Sequence, residues 1–75
     1  MKLQRQLSNG MWSDVEENRI EEFLNMAIDF ETRMAIRLNI PQLSRDEYIQ
    51  RLQSGKKLNW DSDWYAQIRD ADAIK

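Results

Sequence analysis

Cysteine and histidine are both missing from this 75-residue chain. Their absence excludes disulfides, Cys/His metal staples of the zinc-finger kind and the commonest nucleophile–base pairs. Glycine occurs only twice and proline once, which rules out collagen-like and linker-type sequences. No stretch approaches the roughly 18 consecutive apolar residues of a membrane span. Residues 1–6 lack the apolar core of a signal peptide. The expectation is therefore a cytoplasmic protein with no membrane contact. Net charge is only −2, from 11 basic and 13 acidic residues. That balance is too mild to mark a nucleic-acid binder or a polyanion mimic.

What is present reads as globular: 41% hydrophobic residues, 32% charged, and three tryptophans in a short chain. A domain of this size buries only about 60% of the surface its unfolded chain exposes. With no disulfide or Cys/His metal site to help, stability must come from local structure, a tryptophan-rich core or association.

The hydropathy pattern predicts one α+β domain with elements in the order ββααβ(β). Residues 1–15 read as a hairpin around the turn signal Ser8-Asn9-Gly10. A three-residue loop with Gly10 left-handed pairs Leu7 with Met11 and Leu3 with Val15, placing all four on one face. Gln4, Gln6, Trp12 and Asp14 then take the other face, and a one-residue slip would scatter the apolar set. Residues 17–39 read as a long helix with the stripe Ile20, Phe23, Leu24, Ala27, Phe30, Met34 and Leu38. Ile28, Ala35 and Ile36 widen the stripe, which implies cover on more than one side. Asn18 with Glu21, or Asp14 with Glu17, supplies its cap, and Pro41 ends it near Leu38 or Asn39. Residues 44–54 form a second helix, with a Ser44/Glu47 capping box, Leu43 stapled on Tyr48, and Gly55 closing it. Residues 57–69 are a strand region in which Leu58 and Trp60 face inward. Within it, residues 64–69 fit a strand better than a helix, though both remain open. Residues 70–75 are a polar tail expected to fray.

Chemistry is tested by residue type and spacing. Residues 61–72 have the length of a calcium loop, with Asp61, Asp63 and Asp72 at its first, third and last positions. Tyr65 and Ala66 occupy positions that need an oxygen ligand and a glycine, so turn residues are the better reading. The paired acids Glu16/Glu17, Asp61/Asp63 and Asp70/Asp72 lie in polar surroundings and read as helix-start and turn residues rather than catalytic pairs. Ser54-Gly55-Lys56-Lys57 lacks the upstream glycine of a P-loop and follows a helix. No catalytic residue, metal site or cofactor is assigned, and the chain is expected not to be an enzyme.

The segments Leu52-Gln53-Ser54-Gly55-Lys56-Lys57 and Asp63-Trp64-Tyr65-Ala66-Gln67-Ile68-Arg69 resemble the C-terminal part of small uncharacterised phage and prophage proteins. Gln6-Leu7-Ser8-Asn9-Gly10-Met11-Trp12 is similar to their first hairpin. The resemblance implies a phage or mobile-element setting and a compact helix-plus-hairpin domain, with no activity carried over. The expected function is a non-enzymatic interaction module that binds a protein or itself. Its candidate contact residues are Trp12, Trp64 and Tyr65 as aromatic anchors, Glu16 and Glu17 as an acidic docking face, and Lys56 and Lys57. The alternative is a small nucleic-acid binder in which Arg51, Lys56 and Lys57 meet phosphate while Trp60, Trp64 and Tyr65 stack on bases.

Overall fold

The N-terminal hairpin adopts the bulged register that the side-chain pattern predicts. In the computed structural model, which describes residues 1–60 and 67–73, β1 (Leu3–Gln6) runs antiparallel to β2 (Trp12–Asp14). Gln4 lies opposite Asp14, and Gln6 opposite Trp12. Gly10 sits at φ 86°, a left-handed conformation that costs glycine little. The Leu7 N–H donates to the Met11 carbonyl at 2.7 Å and the Gly10 N–H to the Leu7 carbonyl at 2.9 Å, closing a three-residue loop. Leu3, Leu7, Met11 and Val15 share a face as expected, yet they do not roof the helix together. Leu3 is buried and Val15 packs against the core, whereas Leu7 is half-buried and Met11 is 63% exposed. Cover falls away toward the loop.

Helix α1 (Ile20–Arg37) is entered through a 3-10 turn, Glu17–Arg19. Neither expected cap forms: the residues before the turn and before the helix are Glu16 and Arg19, and neither makes a side-chain capping bond. Glu21 and Glu22 instead place negative charge on the first turn, where the macrodipole favours it. The far end is closed by Asn39 at φ 55°. Its N–H donates to the Ile36 carbonyl at 3.2 Å and the Ile40 N–H to the Ala35 carbonyl at 3.0 Å, a Schellman ending with asparagine in glycine's place. The apolar stripe is buried only in part. Phe23, Leu24, Ala27 and Ala35 are inside and Ile28 packs against the core, but Ile36 and Leu38 are each 60% exposed, so the wider cover expected from Ile28, Ala35 and Ile36 reaches the first two and not Ile36.

Helix α2 (Arg45–Gln53) forms as its local signals require. The Glu47 N–H donates to Ser44 Oγ at 3.2 Å, and the Ser44 N–H donates to Glu47 Oε1 at 3.0 Å, completing the capping box. The Ser44 N–H bond to its carboxylate, helped by the Ser44 side chain, holds Glu47 below the usual glutamate pKa. Gly55, at φ 94°, ends the helix, with the Lys56 N–H donating to the Arg51 carbonyl at 3.0 Å.

β3 (Leu58–Asn59) and β4 (Gln67–Asp70) complete an antiparallel sheet of order β2-β1-β4-β3. The ambiguous segment is therefore strand from Gln67 onward, while Trp64, Tyr65 and the turn 61–63 lie outside the described residues. The expected frayed tail is anchored at its start. Asp70 is 4% exposed, and its Oδ1 accepts from the Lys2 N–H at 3.2 Å and the Asp72 N–H at 3.0 Å. The Ala71 N–H also donates to the Lys2 carbonyl at 2.8 Å, and a 3-10 turn follows at Ala71–Ala73. Both helices cover one sheet face. Leu3, Leu58 and Ile68 from the strands meet Phe23, Leu24, Ala27, Tyr48 and Leu52 from the helices, with Trp60 packed at the margin.

Two outcomes follow from these local devices. Gly10→Ala is expected to cost about 1 kcal/mol through left-handed strain alone, because a Cβ there meets nothing within 4 Å; urea unfolding measures it. Glu47 and Glu22, the latter lowered by its bond to Arg19, both titrate below the ordinary glutamate value in the fold. Their contribution is present above about pH 4.3 and is lost as pH falls through the lowered folded values. Glu47→Gln keeps a capping box without a titrating group, so its Tm should fall less than that of the unaltered chain between about pH 6 and pH 3.

Candidate interaction surfaces

Three exposed aliphatic residues fall within five positions at the end of α1 and in the turn after it. Ile36 and Leu38 are each 60% exposed and Ile40 is 54% exposed. Near the end of α1 Ala35 is buried, while Ile36 and Leu38 are left uncovered. Across the Asn39 turn, Leu38 and Ile40 line the same cleft. That cleft, of about 210 Å³, is also lined by Met34, Ala35, Tyr48 and Leu58, with Arg51 and Lys57 on its wall. Arg37 lies in the last turn of α1. Arg33 is held by Asp29 at 2.9 Å, whereas Arg37, Arg51 and Lys57 have no ion-pair partner among the described residues. Glu31, the one acid lining the cleft, is occupied: its Oε1 accepts from the Asn59 N–H at 2.8 Å. The surface is thus apolar with a cationic rim.

The residues singled out in the sequence are dispersed. Trp12 lies on the polar sheet face, half-buried beneath the Arg69 guanidinium, whose carbon is 4.1 Å from the ring centroid. Arg69 Nε donates to Gln4 Oε1 at 2.9 Å, and Gln4 Nε2 donates to Asp14 Oδ1 at 2.8 Å. The indole is therefore covered by the C-terminal strand. Trp64 and Tyr65 are outside the described residues. Glu16 and Glu17 are exposed at the hairpin–helix junction. Of their acidic neighbours on α1, Glu22 is bonded to Arg19 at 3.1 Å and Glu21 to Arg45 at 2.5 Å. Lys56 and Lys57 are exposed on either side of Arg51: Lys57 borders the aliphatic cleft, and Lys56 a shallower depression.

Trp60, required for stacking in the nucleic-acid reading, packs edge-on against Phe23 at 5.3 Å and 71°. Its Nε1 is buried without a partner among the described residues. Among those residues no group of three or more acidic side chains is arranged to hold a metal, and no helix is long and apolar enough to cross a membrane. Most of the tested calcium loop, residues 61–66, lies outside them.

Ile36, Leu38 and Ile40 were not singled out as contact residues. The available signal was a stripe continuing through Leu38 up to the Asn39–Pro41 break. Arg69→Ala is expected to uncover Trp12 and cost about 1 kcal/mol; its indole N–H resonance should shift and exchange faster with solvent, while that of Trp60 stays in place.

Against this fold and surface, the comparisons with protein-family models, curated proteins and solved structures find no match.

Proposed function

We propose that the chain is a non-enzymatic protein-binding module that docks a partner on the end of α1. The observation that carries this reading is the exposed pair Leu38 and Ile40, which line a cleft walled by Arg51 and Lys57, with exposed Ile36 and Arg37 in the adjoining last turn of α1. Burying three aliphatic side chains at an interface gains roughly 25 cal/mol per Å² of apolar area removed from water. The cationic rim selects the partner's chemistry, an apolar segment flanked by carboxylates, and raises the rate of encounter. The likeness to small phage and prophage proteins supports a setting in a host cytoplasm, with a phage or host protein as the partner.

The test uses a synthetic helical peptide with leucines at i, i+3, i+4 and i+7 and glutamates elsewhere. It should bind, and a lysine-for-glutamate version should bind at least tenfold more weakly. Ile36→Ser with Ile40→Ser should abolish binding while changing stability little, since both side chains are largely exposed. Equal binding of both peptides would remove the rim from the argument. Salt-dependent binding of a DNA oligonucleotide, lost in Lys56→Ala with Lys57→Ala, would replace this reading with the nucleic-acid one.

A further inference from the structure

The two outer strands of the sheet end differently. On β3, Glu31 Oε1 accepts from the Asn59 N–H at 2.8 Å and from Asn59 Nδ2 at 3.2 Å, so the outward donor of that strand is occupied. On β2 the bonds from the Leu7 N–H to the Met11 carbonyl and from the Val15 N–H to the Leu3 carbonyl mark hydrogen-bonded pairs. The antiparallel pattern alternates, so Trp12 and Asp14 fall at the intervening positions, with their N–H and C=O groups directed away from β1. Among the described residues nothing accepts from either N–H. Residues 11–16 contain neither lysine nor proline, the residues that commonly block a free edge.

We infer that β2 pairs with β2 of a second copy, antiparallel about Ser13, joining two four-stranded sheets into one across a two-fold axis. In that register Trp12 exchanges both backbone bonds with the partner's Asp14, and Asp14 does the same with the partner's Trp12. Ser13 faces the partner's Ser13 at a non-bonded position. Met11, 63% exposed in the single chain, comes opposite the partner's Val15 on the helix side of the ribbon, where Val15 already packs on the core. On the other face Asp14 approaches the partner's Trp12, over which the partner's Arg69 lies at 4.1 Å, so a carboxylate meets a guanidinium. The contact is self-complementary and closes at two copies, the commonest form of soluble oligomer. It uses none of the residues of the α1 surface and stands independently of the proposed function.

Because the chain has no cysteine, Ser13→Cys introduces a single thiol. Residues at a non-bonded antiparallel pair have Cα atoms about 4.5 Å apart, within the range a disulfide spans. Mild oxidation should convert Ser13→Cys to a covalent dimer, and Gln50→Cys, exposed on α2, should not cross-link at the same concentration. In sedimentation velocity the unaltered protein should approach twice its 9.0 kDa mass as concentration rises. Met11→Lys should weaken the dimer at least tenfold, and Ile36→Ser should leave it unchanged. Asp14→Pro removes an outward N–H without touching the β1–β2 ladder and should also give monomer. A monomer up to about 1 mM, where only association weaker than about −4 kcal/mol escapes detection, would overturn the inference. So would a dimer that Ile36→Ser dissociates and Met11→Lys does not.

Discussion

One-sided cover of a narrow sheet is the constraint from which the remaining features follow. Leu52, Ile68 and Ala27 are fully enclosed and Leu3 is 1% exposed, so the middle of the sheet is sealed against the helices. Each of the two leucines and the isoleucine contributes roughly 1.5–3 kcal/mol on burial. Ala27 permits close approach at the centre of α1, while Phe23 fills the margin against Trp60 and lies under the guanidinium groups of Arg5 and Arg19 at 5.5 and 5.1 Å. Among the described residues both helices lie on one face of the sheet and no element lies on the other. That face is closed instead by polar pairing: Arg69 over Trp12, Gln4 between Arg69 and Asp14, and Gln67 on Asn59.

The same shortage of cover explains where apolar surface is left over. The core covers α1 from Phe23 to Ala35 on one side and leaves Ile36 and Leu38 bare, and the hairpin loses its cover toward Met11. Ile36, Leu38 and Ile40 are left at one extremity and Met11 at another. The hairpin loop and the helix terminus each need several residues to reverse the chain. In so small a domain those reversals lie outside the core by geometry.

Features decided by neighbours in the chain were legible in the sequence. Gly10 in its bulge, the Ser44/Glu47 box and Gly55 each rest on a few consecutive residues whose conformational preferences are strong. The hairpin register was legible because a slip of one residue would have sent Leu3 and Val15 to opposite faces. Features decided by distant docking were not. Asp70 looks like the start of a solvated tail until β4 lies against β1 and its carboxylate meets the Lys2 N–H, 68 residues away in the chain. Met11 and Leu38 fit their apolar stripes as well as Leu3 and Phe23 do, and only tertiary packing decides which of them is covered. The same limit applies to the site: the aromatic candidate Trp12 is covered by Arg69, while Ile36 and Leu38, which fit the apolar stripe, are exposed.

The small net charge conceals an axial separation. Glu16, Glu17, Glu21 and Glu22 gather where α1 begins, and Arg33 and Arg37 where it ends, with Arg51 and Lys57 brought to that end by α2 and the turn after it. Along the helix this arrangement opposes the macrodipole and stabilises the fold. Across the surface it makes the two ends chemically unlike. At the acidic end two carboxylates are already paired with Arg19 and Arg45, which lowers that end's potential. At the basic end only Arg33 is so engaged among the described residues, and the exposed aliphatic cluster lies there. Free charge and uncovered apolar area coincide at one place on the molecule. That coincidence weights the α1 terminus above the acidic junction as a docking face, and it sets the sign of charge a partner must bring.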